Sequence, residues 1–218
     1  SGGRYQVLTS EAAFIAYKIS AQANEVGVIE TPVNEDLGFN LDAMYKAVEA
    51  NNKIRLCFIP NPNNPTGKAV PKDQLVHFLN YLVQLDRQVI CALDYAYWEY
   101  ADRSVVADPM ELLRTYPNVV ILRTFSKVYG LGGARVGYLL ADPEIVSYVN
   151  RVRMPFNVNL LGLIAAEAAL EDQNFVEQSI ENNRQQLEVW KKGLSDLGVP
   201  YLDSQGNFVL VNTKRGLG

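Results

Sequence analysis

The protein has 218 residues, of which 48% are hydrophobic and 20% are charged, and its formal net charge is −4. This length can bury one sizeable core, and the mildly acidic balance argues against nucleic acid or an anionic membrane as the main partner. The chain has one histidine, His77, and two cysteines, Cys57 and Cys91. These are too few for a His/Cys zinc cluster, and any Ser-His-Asp triad would have to use His77.

Apolar runs and helix-capping residues alternate along the chain. The predicted strands, in chain order, are residues 5–8, 25–30, 54–59, 89–93, 119–122, 135–140 and 208–211. The predicted helices are residues 10–23, 41–50 behind an Asn40 cap, 71–85, two that begin at Asp108-Pro109 and Asp142-Pro143, and 157–198 with a break near Asp172. This alternation predicts an α/β fold with a mostly parallel central sheet flanked by helices.

Cys57 and Cys91 both lie inside predicted strands. We therefore expect buried, inert thiols rather than a disulfide, as suits a reducing cytosol. No run is long and apolar enough to span a bilayer, and the start of the chain lacks the pattern of a signal segment. We expect a cytoplasmic protein with neither a membrane nor a nucleic acid as partner.

Ligands of parallel sheets bind at the carboxyl ends of strands, which directs attention to three loops. The loop after residues 119–122 contains Lys127, close to Thr124 and Ser126 and followed by a glycine-rich run that ends in Arg135. A lysine desolvated there can act as a nucleophile or form a Schiff base, and the two hydroxyls and the guanidinium can share one phosphate. Taken alone, however, Lys127 is better explained as an ordinary surface lysine beside a glycine-rich turn, since most lysines are solvated.

The other two loops carry Asp94, Tyr97 and Asn64. An aspartate at the end of a central strand is costly unless a cation or hydrogen-bond donors meet it, although Asp94 could also cap a turn while Tyr97 packs its ring. Three prolines within residues 60–65 stiffen the loop that holds Asn64. We predict that the Asn64-Pro65 peptide bond is cis.

The order and spacing of these motifs are more specific than any one of them. The run Pro-Asn-Asn-Pro-Thr-Gly at residues 62–67, then Asp94-x-x-Tyr97, then Ser126-Lys127 with Arg135 eight positions after the lysine, resembles the fold-type I aminotransferases that depend on pyridoxal phosphate. Residues 123–138 look most like the histidinol-phosphate aminotransferase branch, and residues 155–159, 165–170 and 207–211 are similar to it as well.

The resemblance implies a role for each residue that matches a family motif. Lys127 would hold the cofactor, pyridoxal 5′-phosphate, through its amine and then carry the proton between carbon atoms, and Asp94 would pair with the pyridine nitrogen. Asn64 and Tyr97 would hydrogen-bond the ring's phenolate oxygen. These four residues form the implied centre of the site. Asp94, Lys127 and Tyr97 are its implied catalytic residues.

Four further residues complete the implied site. Thr124, Ser126 and Arg135 would hold the 5′-phosphate. Phe14 matches the aromatic residue that stacks on the cofactor ring, with a core helix position as the alternative. Tyr95 stands where the family usually has glutamate, a departure that leaves the assignment of Asp94 and Tyr97 intact.

The resemblance also implies a domain organisation and a reaction. Residues 1–172 would form the cofactor-binding large domain, with its N-terminal part missing, and residues 173–218 a linking helix and the start of a small C-terminal α/β domain. The implied reaction is transamination between L-histidinol phosphate and 2-oxoglutarate in histidine biosynthesis, by a homodimer.

Several alternatives keep the same residues. They are an aromatic amino-acid aminotransferase, a phosphothreonine decarboxylase relative and, from another class, a cofactor-binding fragment or regulatory domain without turnover. The arginine that grips the substrate in the family is not found, because Arg215 comes too early in the pattern. We therefore expect the 218-residue piece to turn over poorly by itself.

Overall fold

The computed structural model describes residues 4–213, and a six-stranded sheet lies at its centre. The strands are β1 (Gln6–Ser10), β2 (Gly27–Thr31), β3 (Ile54–Pro60), β4 (Ile90–Asp94), β5 (Val119–Thr124) and β6 (Gly137–Ala141). Their order is β2-β1-β3-β4-β5-β6, and every neighbouring pair is parallel except β5 and β6. The predicted mostly parallel α/β sheet is confirmed.

Helices alternate with these strands. They are α1 (Ala16–Ala23), α2 (Leu41–Ala50), α3 (Lys72–Val83), α4 (Pro109–Thr115), α5 (Pro143–Val152), α6 (Leu160–Glu171) and α7 (Gln173–Asp196). The Asn40 side chain accepts from the Ala43 N–H, and the Asp108 and Asp142 side chains cap α4 and α5 in the same way. The predicted break at Asp172 separates α6 from α7. None of the helices in the described part of the chain is long and apolar enough to cross a membrane.

The core lies between the sheet and the helices that pack on it. The strands are apolar because helices cover both faces of the sheet. Cys57 and Cys91 are register partners on β3 and β4, and both are buried free thiols. Burial raises the pKa of Cys57 to about 12 and that of Cys91 well above its usual value. The prediction of buried, unpaired thiols is confirmed.

Two predicted elements are wrong. The helix predicted over residues 10–23 begins only at Ala16, because Ser10 still belongs to β1 and pairs with Thr31, and a turn follows it. The strand predicted over residues 208–211 is reduced to a single antiparallel bridge between Tyr201 and Val211. Within residues 4–213 this segment has no further strand beside it, and an isolated two-stranded pair is marginal.

The sheet order brings the three loops of interest together. Since β3, β4 and β5 are parallel neighbours, their carboxyl ends lie at one edge. The Asn61 N–H donates to the Asp94 carbonyl, and the Tyr95 N–H donates to the Leu122 carbonyl, so the loops leave the sheet side by side. The candidate site lies at this edge.

Candidate active site

A cavity of about 90 Å³ opens at the carboxyl ends of β3 and β4. It is lined by Phe14, Tyr17, Pro60, Pro62, Asn64, Asp94, Ala96, Tyr97 and Lys127. Five of the eight residues singled out in the sequence therefore line one cavity. The other three, Thr124, Ser126 and Arg135, form a cluster of their own.

Asp94 ends β4 with its carboxylate held by two donors. The Tyr17 hydroxyl donates to Oδ2 at 2.6 Å, and the Ala96 N–H donates to Oδ1 at 3.1 Å. Burial raises the pKa of Asp94, while the two hydrogen bonds and the charge of Lys127 act in the opposite direction. A buried carboxylate at this position suits a cationic or N–H group in the cavity.

Asn64 and Tyr97 meet although 33 residues separate them. The Asn64 Nδ2 donates to the Tyr97 hydroxyl at 2.9 Å. The predicted cis bond at Asn64-Pro65 is confirmed, and a second cis bond, Asn61-Pro62, was not predicted from the sequence. The amide and the phenol thus form a pair of polar groups on one wall of the cavity.

Lys127 reaches the same cavity from the loop after β5. Its Nζ lies 4.8 Å from the centre of the Tyr97 ring. Gly130, in a left-handed conformation at φ 69°, donates its N–H to the Lys127 carbonyl and turns the chain back. The structure therefore places Lys127 at the cavity wall rather than in open solvent.

Thr124, Ser126 and Arg135 lie together beside this loop. An Arg135 Nη1 donates to the Ser126 Oγ at 3.3 Å, and the Thr124 Oγ1 accepts from the Ser126 N–H at 3.0 Å. Arg135 has a left-handed backbone at φ 55°, a conformation that costs free energy in a residue with a side chain. Two hydroxyls and an exposed guanidinium in one place form a donor set suited to a phosphate.

Phe14 lines the cavity from the turn before α1. Its side chain is 43% exposed, and its ring meets the Tyr17 ring edge-on at 5.9 Å. The alternative of a core helix position is wrong, because the residue is neither buried nor in the helix. Tyr95, by contrast, is fully buried in the core and stacks on Trp98.

Sequence reasoning missed Tyr17. It is three residues after Phe14, and in the helix predicted over residues 10–23 this spacing places the two side chains on one face, which is the signal that could have found it. Its ring is buried and stacks on Phe58 at 4.6 Å. Tyr17 therefore connects α1 to both β3 and Asp94.

A buried ion pair next to two site residues in the sequence was also missed. An Arg123 Nη2 lies 2.6 Å from the Glu99 Oε1, and both side chains are at most 9% exposed. Glu99 follows Tyr97 by two residues, and Arg123 precedes Thr124. The pair therefore ties the turn that carries Tyr97 to the strand that leads to Lys127.

The C-terminal segment of the described chain packs against the cavity wall. The Phe208 ring lies edge-on to Tyr97 at 5.0 Å, and the Gln205 N–H donates to the Gly67 carbonyl at 2.8 Å. Arg215, which the sequence pattern placed too early for a substrate-gripping arginine, lies outside the described residues.

Replacing Gly67 by alanine should destabilise the protein by about 3 kcal/mol. The residue has φ +72°, and an added Cβ would lie 2.3 Å from the Ser204 Oγ and 2.9 Å from its Cα. Urea unfolding measures the loss. Gly193→Ala is the matched control, since a Cβ there has no atom within 4 Å in the described structure and α7 should gain up to about 1 kcal/mol. Equal unfolding free energies for the two variants would contradict this close contact.

The family model and the sequence relatives that match this chain are all aminotransferases. The family model described as aminotransferase class I and II matches residues 3–217. A histidinol-phosphate aminotransferase from Bdellovibrio bacteriovorus is 44% identical over 211 residues, which are 96% of this chain and 56% of the relative. Another from Anaeromyxobacter sp. is 43% identical over 207 residues, covering 95% of this chain and 56% of the relative.

A solved structure of the same kind of enzyme also matches the fold of this chain. The histidinol-phosphate aminotransferase from Sinorhizobium meliloti, crystallised in complex with pyridoxal-5′-phosphate, matches with a TM-score of 0.89 at 30% identity. The match covers 99% of this chain and 57% of that one. The chain thus spans a little over half the length of the relatives that it matches.

Proposed function

The chain belongs to the class I and II aminotransferase family, and from that premise we propose that the protein transfers an amino group with pyridoxal 5′-phosphate as its cofactor. We propose L-histidinol phosphate as the amino donor and 2-oxoglutarate as the acceptor, in histidine biosynthesis. The observation that carries the proposal is the meeting of Lys127, Asp94, Asn64 and Tyr97 around one cavity. Relatives about 40% identical over nearly the whole chain support the choice of donor.

The polar side chains of the site fit each polar group of that cofactor. A carboxylate suits a ring N–H, the Asn64–Tyr97 pair suits a phenolate oxygen, and a lysine amine suits an aldehyde. The hydroxyls and guanidinium of Thr124, Ser126 and Arg135 suit a phosphate. Phe14 presents an exposed aromatic face at the same cavity, for stacking on the ring.

Pyridoxal phosphate, when bound, supplies an electron-withdrawing ring that stabilises negative charge at the substrate's Cα. Asp94 accepts from the ring nitrogen and holds its proton, which keeps that ring electron-poor. Asn64 and Tyr97 donate to the phenolate oxygen and fix the ring's orientation. Lys127 would hold the cofactor at its aldehyde carbon, and its Nζ, once free, would take the proton from the substrate Cα.

Three half-reactions test the substrate. The full-length holoprotein is mixed with histidinol phosphate, phenylalanine or phosphothreonine, and the loss of the bound cofactor's visible absorption is followed. We expect histidinol phosphate to react fastest and 2-oxoglutarate to restore the absorption. A faster reaction with phenylalanine would indicate an aromatic aminotransferase, release of carbon dioxide from phosphothreonine would indicate a decarboxylase, and no reaction with any of the three would favour a non-catalytic binding protein.

We also propose the domain organisation. Of the described residues, 4–172 would belong to the cofactor-binding large domain, and 173–213 to a linking helix and part of a small domain. The helix boundary at Asp172 supports this division. We also propose a cytoplasmic location, which the two free, buried cysteines support.

We propose that the full-length protein forms a homodimer, supported by the apolar side chains between the end of α5 and the start of α6. The most exposed of them are Val152, Met154, Phe156, Leu160 and Leu161, with Phe156 fully exposed. Leu161→Glu should convert the dimer to a monomer in size-exclusion chromatography with light scattering. Val83→Glu, at an exposed apolar residue of α3, should remain dimeric, and a wild-type monomer would contradict the proposal.

A further inference from the structure

Tyr17 is placed to act on Asp94. Its ring lies in the parallel plane of the Phe58 ring, with the centres 4.6 Å apart, which fixes the direction of the hydroxyl. That hydroxyl lies 2.6 Å from the Asp94 Oδ2. Packing from α1 and β3 thus aims one donor at the carboxylate that ends β4.

The direction of this hydrogen bond is fixed by chemistry. Burial, together with the charge of Asp94, holds the pKa of Tyr17 far above its usual value, so the phenol keeps its proton. An ionised carboxylate can only accept. Tyr17 is therefore the donor whenever Asp94 is charged, and its bond favours the charged form.

Few other groups stabilise that charge. Among residues 4–213, Asp94 has no salt-bridge partner, and the charge of Lys127 acts on it from the loop after β5. The Ala96 N–H occupies Oδ1, and the titratable groups that face the Tyr17–Asp94 pair are Lys127 and Tyr97. Burial opposes the charge, so the Tyr17 hydroxyl supplies a large share of what keeps Asp94 ionised.

We propose that Tyr17 is a positioning residue that holds the Asp94 carboxylate ionised and oriented towards the ring nitrogen of the cofactor. The proposal rests on the proposed function, since it requires a pyridoxal ring in the cavity. Tyr17 acts through Asp94 and takes no part in bond making. Its two tasks, fixing the carboxylate's rotation and favouring its charge, both depend on one hydroxyl.

The test compares two tyrosine-to-phenylalanine variants of the full-length protein. Tyr17→Phe keeps the ring on Phe58 and removes only the hydroxyl. Tyr116→Phe is the matched control. Tyr116, at the end of α4, is buried, and its hydroxyl donates to the Oδ1 of Asn80 in α3 at 2.9 Å. Both variants lose one neutral tyrosine donor, and only Tyr17 touches Asp94.

Two readouts separate a positioning role from a structural one. In cofactor-free protein, carboxyl carbon NMR, assigned by the signal lost in Asp94→Asn, should show a higher pKa for Asp94 in Tyr17→Phe than in wild type or Tyr116→Phe. In equilibrium titrations with pyridoxal 5′-phosphate, followed by visible absorption, Tyr17→Phe should bind about tenfold more weakly, because a hydrogen bond to a charged group is lost. Tyr116→Phe should bind within twofold of wild type.

The outcomes distinguish the inference from the proposed function. If wild type binds pyridoxal 5′-phosphate and Tyr17→Phe matches it in affinity and in Asp94 titration, the positioning role is wrong while the function stands. Equal losses in Tyr17→Phe and Tyr116→Phe would also overturn it, since they would indicate a general loss of stability. A wild type that does not bind the cofactor would overturn the proposed function and this inference with it.

Discussion

Replacing Lys127 by alanine should lower amino transfer by at least about 10⁴-fold, because one side chain both binds the cofactor and moves the substrate proton. Its Nζ, 4.8 Å from the Tyr97 ring, reaches the cavity on whose walls Asp94 and Asn64 also lie. The rate of the half-reaction with histidinol phosphate measures the loss. The visible absorption of bound cofactor should disappear with it.

Lys68→Ala is the matched control for this variant. Lys68 follows the Pro-rich loop by one residue and forms an ion pair with Asp36 at 3.2 Å, without lining the cavity. Its removal should change the rate by less than about threefold, since exposed ion pairs contribute little. A Lys127→Ala variant as active as Lys68→Ala would remove Lys127 from its proposed role.

Replacing Asp94 by asparagine should lower the same rate by about 10³-fold. The amide is nearly the same size as the carboxylate and can still accept from Tyr17, but it carries no charge to hold a proton on the ring nitrogen. Single-turnover rates with saturating cofactor measure this loss separately from weaker binding. A loss below about tenfold would contradict the assigned role.

The same variant should make the cofactor-free protein more stable at neutral pH. Burial raises the pKa of Asp94 in the folded state, so folding favours the protonated form. This contribution is complete below the unfolded value of about 3.9 and is lost as the pH rises through the folded value. Asparagine does not ionise, so the unfolding free energy of Asp94→Asn should exceed that of wild type at pH 7, and the difference should shrink towards pH 3. Such a gain at a functional residue is the expected trade between stability and activity.

The sequence predicted those parts of the site that lie at strand ends. Parallel strands end at one edge, so Asn64, Asp94 and Lys127 were expected to converge although they lie in three separate loops. The caps Asn40, Asp108 and Asp142 fixed helix starts because each is a local interaction between a side chain and the next turn.

What the sequence missed depends on contacts between distant residues. The spacing from Phe14 could have placed Tyr17 near the site, but Tyr17 and Asp94 are 77 residues apart, and no local pattern shows that its hydroxyl donates to this carboxylate. The turn before α1 exists because β1 extends to Ser10 beside β2, a pairing that propensity alone does not specify. For residues 208–211, apolar composition predicted a strand, and the described structure provides only one bridging residue.

The most direct test of the account is to find where the cofactor attaches. Full-length protein is incubated with pyridoxal 5′-phosphate, reduced with borohydride and digested, and the labelled peptide is identified by mass spectrometry, with Lys127→Ala treated in parallel. We expect the label on Lys127 in wild type and its loss in the variant. Label on other lysines alone, or equal labelling of wild type and variant, would contradict it.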